Sequence, residues 1–179
     1  LILLAIAGVV IDWYAMARTP GSLAHIAKRQ IANVAAFAAS AVIGVASVGA
    51  INWAYYDSFR INDFQTQDFA AAYGAIVRVT DPEPQNLVPA SPAKLELIYT
   101  ASPAAADMAP HMRGKVGEFW GQVGCNARPV PGCEHILSGW FQWAIRDAAA
   151  DAGHYASAAK ASAYFEHLAA EINQACDDG

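Results

Sequence analysis

The sequence predicts an all-α protein in which a transmembrane helix is followed by a small helical extracytoplasmic domain. No charged residue interrupts the chain between Arg29 and Asp57. Apolar residues return at helical spacing in several later segments, and no alternating apolar pattern is long enough to argue for a sheet. The composition agrees, being 55% hydrophobic and 15% charged, where soluble domains carry about 25% charged residues. At 179 residues, the chain has room for one modest soluble domain beside its membrane region. Sixteen acidic against eleven basic residues, with no basic run longer than Lys28-Arg29, argue against nucleic acid as a partner.

From Ile31 to Tyr56, only Asn33, Ser40, Ser47 and Asn52 depart from apolar, aromatic and small side chains. A bilayer core requires about 20 such residues, and a soluble helix of that length would show a polar face, so residues 31–56 are expected to cross the membrane. Asn52, Trp53, Tyr55 and Tyr56 mark the water boundary, because amphipathic rings settle at the headgroup level. Leu1 to Ile11, followed by Asp12, Trp13 and Tyr14, reads as the end of an earlier span over residues 1–17. That run opens on Leu without the basic stretch a signal peptide needs, so a piece of a longer chain is expected. Arg18, Lys28 and Arg29 make residues 18–30 a cytoplasmic loop, and the acidic residues Asp57, Asp63 and Asp68 lie on the other side. Residues 1–56 are thus the membrane region, and residues 57–179 the extracytoplasmic domain. Ala36, Ser40 and Gly44 repeat every four residues and would let another transmembrane helix or membrane subunit approach closely. Expected partners are therefore the lipid bilayer and such helices.

In the soluble region, Asp63 can cap a helix running to about Val79, with Phe69, Tyr73, Ile76 and Val77 on one face. Prolines 82, 84 and 89 make residues 80–90 an extended surface linker. Ser91-Pro92 then opens a short helix to about Tyr99, and Ser102-Pro103 repeats the device, since proline at the first helical position gives up only an unpaired N–H. A further helix after Pro110 is expected to end at Phe119 or Trp120, with Gly114 and Gly117 each weakening it by about 1 kcal/mol. Trp140, Phe141, Ala144, Ile145 and Ala148 define a helix over 139–152 that stops at Gly153. Ser157 starts a last helix over 158–176 with Ala161, Tyr164, Phe165, Leu168, Ile172 and Cys176 on its apolar face. The short connection predicts that these two helices form an antiparallel pair that buries Trp140, Ile145, Phe165, Leu168 and Ile172.

No phosphate-binding glycine loop, Gly-x-Ser-x-Gly elbow or His-Glu-x-x-His pair occurs, and no cofactor is expected. Cys125, Cys133, His135 and His111 offer metal donors, but structural zinc pairs sit two to four residues apart and these cysteines do not, so no metal is expected. A disulfide between Cys125 and Cys133 fits an oxidising compartment better, with Cys176 packed as a small hydrophobe. The binding candidates are Trp143, Arg146 and Asp147, with Asp57 and Arg60 just beyond the membrane exit. Arg146 and Asp147 could hold a polar or anionic head group while Trp140 and Trp143 stack on a sugar. Alternatively, Trp140 packs the helix and the ion pair holds a neighbouring segment.

The stretches Asp68-Phe69-Ala70-Ala71-Ala72-Tyr73-Gly74, Gly139-Trp140-Phe141-Gln142-Trp143-Ala144-Ile145-Arg146-Asp147 and Glu171-Ile172-Asn173-Gln174-Ala175-Cys176 resemble the C-terminal region of uncharacterised bacterial multi-pass membrane proteins. Those in turn look like GT-C type glycosyltransferases that use lipid-linked sugars. The resemblance covers residues 50–179 and implies a bacterial inner-membrane protein with its soluble region periplasmic or extracellular. It would put the catalytic carboxylate in an early outer loop absent from this chain, so no catalytic residue is carried over. Two functions are expected on these grounds. One is the non-catalytic, membrane-anchored region of a glycosyltransferase-like protein, and the other a structural or accessory subunit of a larger membrane complex.

Overall fold

The computed structural model describes Gly8, Tyr14, residues 23–56, Phe59 and residues 61–178. Among these residues the protein is all-helical, with seven α-helices and no strand. They form two compact units that divide between residues 55 and 62. The expected span over 1–17, apart from Gly8 and Tyr14, lies outside the described residues, as do Asp57 and Arg60.

The first unit is built on α1, Leu23–Tyr56. The helix starts well before residue 31, so residues 23–30 are helical rather than loop. Lys28 and Arg29 are good helix formers, and a charge does not end a helix as it ends an apolar run. Within α1, Ala27–Tyr55 is 29 residues long and apolar enough to cross a membrane. From residue 27 to 55 only Gly49 is buried, while Val42 and Ile43 stand 66% and 64% exposed, so among the described residues no protein layer covers this segment. The hydroxyls of Ser40 and Ser47 turn back onto the carbonyls of Ala36 and Ile43, each four residues earlier, which satisfies them within the helix.

The second unit begins with a 3-10 turn, Asp63–Gln65, capped by Asn62, whose side chain accepts from the Phe64 N–H. Thr66 closes this turn by donating from both N–H and hydroxyl to the Asp63 carbonyl. The helix expected from Asp63 therefore starts later, as α2, Gln67–Arg78. Its buried face is Phe69, Ala72, Ala75 and Ile76, whereas Val77 is 41% exposed.

Residues 80–90 carry no regular element, but the strip is not confined to the surface, because Val88 and Ala90 are buried. Its ends are tied together: Ser91 donates from N–H and hydroxyl to Asp81, and the buried Lys94 ammonium donates to the carbonyls of Val77 and Pro89. Burial lowers the pKa of Lys94, against the attraction of Asp81. Leu87 adopts a φ of 66°, and its carbonyl accepts from both the N–H and the hydroxyl of Ser138. Those two bonds hold a conformation that L side chains disfavour.

Helices α3, Pro92–Ala101, and α4, Pro103–Arg113, start as the Ser-Pro pairs dictate, with Ser91 and Ser102 accepting from the N–H groups of Lys94 and Ala105. Glu171, from the last helix, adds to the second cap by accepting from the Ser102 hydroxyl and the Ala104 N–H. A carboxylate at that end also opposes the positive pole of the helix. Pro110 lies inside α4 on an exposed position, where the carbonyl it leaves unpaired can face water. The chain breaks at Gly114, and α5, Lys115–Ala127, then runs past the expected stop at Trp120. Gly117 and Gly121 are sites of close approach and not helix breakers. A Cβ at Gly117 would lie 1.9 Å from the Met112 carbonyl oxygen, and one at Gly121 2.7 Å from that of Glu134.

Helix α6, Ser138–Asp151, is followed by a turn in which Gly153 takes a φ of 86°. Helix α7, Ala158–Asp178, begins after Ser157, which accepts from the Lys160 N–H. The expected α6–α7 pair is not the main contact of either helix. Helix α7 packs chiefly on α2, with Phe69 and Phe165 rings 4.9 Å apart and Arg78 donating to Asn173 at 2.6 Å, while α6 packs on α4 and α5. Helix α4 touches both α6 and α7, because Ala105 and Ala109 leave space for two neighbours. Ile145, Phe165, Leu168 and Ile172 do share one core, but Trp140 stays outside it. Cys176 is exposed near the end of α7, one turn past the last buried residue, Ile172.

Two glycine substitutions should diverge. Gly117→Ala is expected to destabilise by about 2–3 kcal/mol through the clash with the Met112 carbonyl. Gly74→Ala, with nothing within 4 Å of its Cβ, should stabilise by about 0.5–1 kcal/mol. Denaturant unfolding of the full chain in detergent, followed by circular dichroism, checks both values.

Candidate functional site

The residues of α6 proposed for binding fall on one side of that helix, where spacing brings Trp140, Trp143, Arg146 and Asp147 to adjacent turns. Helix α5 adds Trp120, whose indole stacks on Trp140 at 5.7 Å and on Trp143 at 6.0 Å. Phe64, from the 3-10 turn, meets the Trp143 ring edge-on at 4.5 Å. Trp143 remains 38% exposed, so the aromatic cluster has an outer face.

Ionic contacts run along this cluster. The Arg146 Nε donates to Asp63 Oδ2 at 3.2 Å, and its Nη1 to Asp147 Oδ1 at 3.3 Å. The guanidinium carbon also lies 5.1 Å from the centre of the Tyr155 ring. Burial works against the charge of Arg146, yet the hydrogen bond to Asp63 leaves its pKa raised above the ordinary arginine value. The indole N–H of Trp120 donates to Asp147 Oδ2 at 2.9 Å. Each oxygen of Asp147 thus already accepts a hydrogen bond, and Arg146 ties α6 to the turn that precedes α2. A cavity of about 250 Å³ opens beside the cluster, lined by Lys115, Phe119, Trp120, Asp147 and Asp151 among others. Phe119 is 55% exposed there and packs edge-on against Trp120 at 5.0 Å.

Trp120, Phe64 and Tyr155 reach this site from other elements, and the spacing along α6 gives no sign of them. The Phe119-Trp120 pair between Gly117 and Gly121 was the available signal, since the glycines hold this stretch of α5 close to other backbone.

The sulfurs of Cys125 and Cys133 are at disulfide distance, with Cα atoms 4.8 Å apart. Cys125 lies in the last turn of α5 rather than in a loop, and Gly132 turns the chain back with a φ of 82°. Among the described residues, no three His, Cys, Asp or Glu side chains gather closely enough to hold a metal ion. Comparison with protein families, curated proteins and solved structures finds no match to this chain.

Removing the Arg146–Asp63 tie should have a modest effect, because both side chains are about one-third exposed. A double-mutant cycle of Arg146→Met and Asp63→Asn is expected to return a coupling of about 0.5–1 kcal/mol, measured by denaturant unfolding.

Proposed function

We propose that the chain is the membrane-anchored, extracytoplasmic region of a glycosyltransferase-like integral membrane protein, and that its helical domain shapes an acceptor site without carrying out transfer. One observation carries the anchoring: α1 holds a 29-residue apolar segment that no protein layer covers among the described residues, as a lipid-facing helix would and the core helix of a soluble protein would not. Charge and redox chemistry support an extracytoplasmic side for the domain. Arg18, Lys28 and Arg29 precede the apolar segment, and the Cys125–Cys133 pair beyond it suits an oxidising compartment. The non-catalytic role is supported by the way Arg146, Asp147 and Asp63 engage one another instead of standing ready as acid or base. The outer face of Trp143 and the cavity beside Trp120 are what a sugar ring would meet.

A second reading, a structural subunit of a larger membrane complex, is favoured by the small-residue face of α1. With the Ser40 hydroxyl folded onto the Ala36 carbonyl at 2.8 Å, the Ala36, Ser40 and Gly44 positions offer a neighbouring helix little bulk and a satisfied polar group.

Topology tests the common part of both readings. A reporter fused after Gly179 should be active only outside the cytoplasm, and cytoplasmic activity would overturn the orientation. Purified full chain given a lipid-linked sugar should show no turnover, and turnover would overturn the non-catalytic role.

A further inference from the structure

Helix α1 ends at Tyr56, and Phe59 follows shortly after it in the chain. The Phe59 ring nevertheless reaches back to Gly49, about two helical turns before that end. A Cβ at Gly49 would lie 2.6, 2.7 and 2.8 Å from the Cζ, Cε1 and Cε2 atoms of Phe59, so the tip of the ring rests on bare helix backbone. Only glycine leaves that seat open, and Gly49 is the one buried residue from 27 to 55. The seat covers a small part of the ring, because Phe59 is still 61% exposed. Phe59 and Ile61 group with α1 and not with the helical domain, whose core includes neither.

The register of α1 gives the level of this seat. A bilayer core takes about 20 residues of helix, and that length counted on from Lys28-Arg29 ends at Gly49. Trp53 and Tyr55, both exposed, then stand among the headgroups, where amphipathic rings settle. Whatever bathes α1 at Gly49 also bathes the open face of Phe59, and an exposed apolar side chain continuous with a membrane segment marks a membrane contact. We propose that the chain dips back after leaving the membrane and lodges Phe59 at the boundary between headgroups and acyl chains, its tip on Gly49 and lipid over the rest of its ring. Phe59 then holds α1 at a fixed depth, because outward sliding of the helix would draw the ring into water. This inference rests on reading α1 as a membrane span.

The test places ortho-fluorophenylalanine singly at Phe59, at Phe37 within the apolar segment, and at the exposed Phe119 of the helical domain, in the full chain in liposomes. Two agents then broaden the fluorine resonance: a lipid with a nitroxide near the top of its acyl chain, and a gadolinium chelate that stays in water. The nitroxide lipid should broaden the Phe59 resonance strongly, and gadolinium should broaden it several-fold less than that of Phe119. Gly49→Ala should move the Phe59 resonance and leave that of Phe37 in place. Gadolinium broadening at Phe59 equal to that at Phe119, with Phe37 protected, would overturn this inference and leave the membrane span standing. Equal broadening at all three positions would overturn both. A Phe59 resonance insensitive to either agent would mean that protein and not lipid covers the ring, and one unmoved by Gly49→Ala would remove the seat; each result contradicts the proposal.

Discussion

The helical domain depends on α4, which reaches α3, α5, α6 and α7 because its inward residues are small or pliable: Ala105, Ala109, Met108 and Met112. Alanine permits backbones to approach closely, and methionine fills the irregular gaps that remain. Such a helix gives little burial from any one side chain and must be fixed at its ends. The N-terminal end is fixed by Ser102 and by the Glu171 carboxylate from α7, and the C-terminal end by the tight turn through Gly114 and Gly117. The Tyr164 hydroxyl, also from α7, donates to the Ala104 carbonyl at 2.8 Å and ties the same helix start a second time. With α4 held, α6 and α7 can each pack against it without being each other's main partner, and α7 is left free to close on α2.

That arrangement explains which features could be read from the sequence. The starts at Ser91-Pro92, Ser102-Pro103 and Ser157 and the stop at Gly153 were legible because capping and left-handed turns are decided within four residues. The extent of α5 was not, because Gly117 and Gly121 answer to the carbonyls of Met112 and Glu134, both of them outside the helix. The partner of α7 was equally hidden. A short connection shows that two helices are neighbours in the chain, but not that a third, alanine-rich helix contacts both. The Cys125–Cys133 pairing followed from the turn-forming residues between the cysteines, whereas the exposure of Cys176 depends on where α7 outruns its neighbours.

The candidate site was half legible for the same reason. Trp143, Arg146 and Asp147 lie on one helix and declared themselves by spacing, but the groups that engage them, Trp120, Phe64, Tyr155 and Asp63, come from other elements. Their arrival turns a row of polar and aromatic residues into a braced cluster. The bracing fixes Arg146 and both oxygens of Asp147 in place and leaves aromatic surface exposed at Trp143 and Phe119. On the proposed function, this exposed aromatic face is where a sugar ring would rest.

The proposed function depends on what surrounds α1. Spin labels at Val42 and, for comparison, at the exposed Glu166 on α7 can be tested in liposomes for collision with oxygen, which concentrates in hydrocarbon, and with a polar nickel reagent, which stays in water. The label at Val42 should collide readily with oxygen and hardly with nickel, and the label at Glu166 should show the reverse. Nickel access at Val42 equal to that at Glu166 would mean that the longest apolar segment among the described residues lies in water, and would contradict the anchoring on which the proposed function rests.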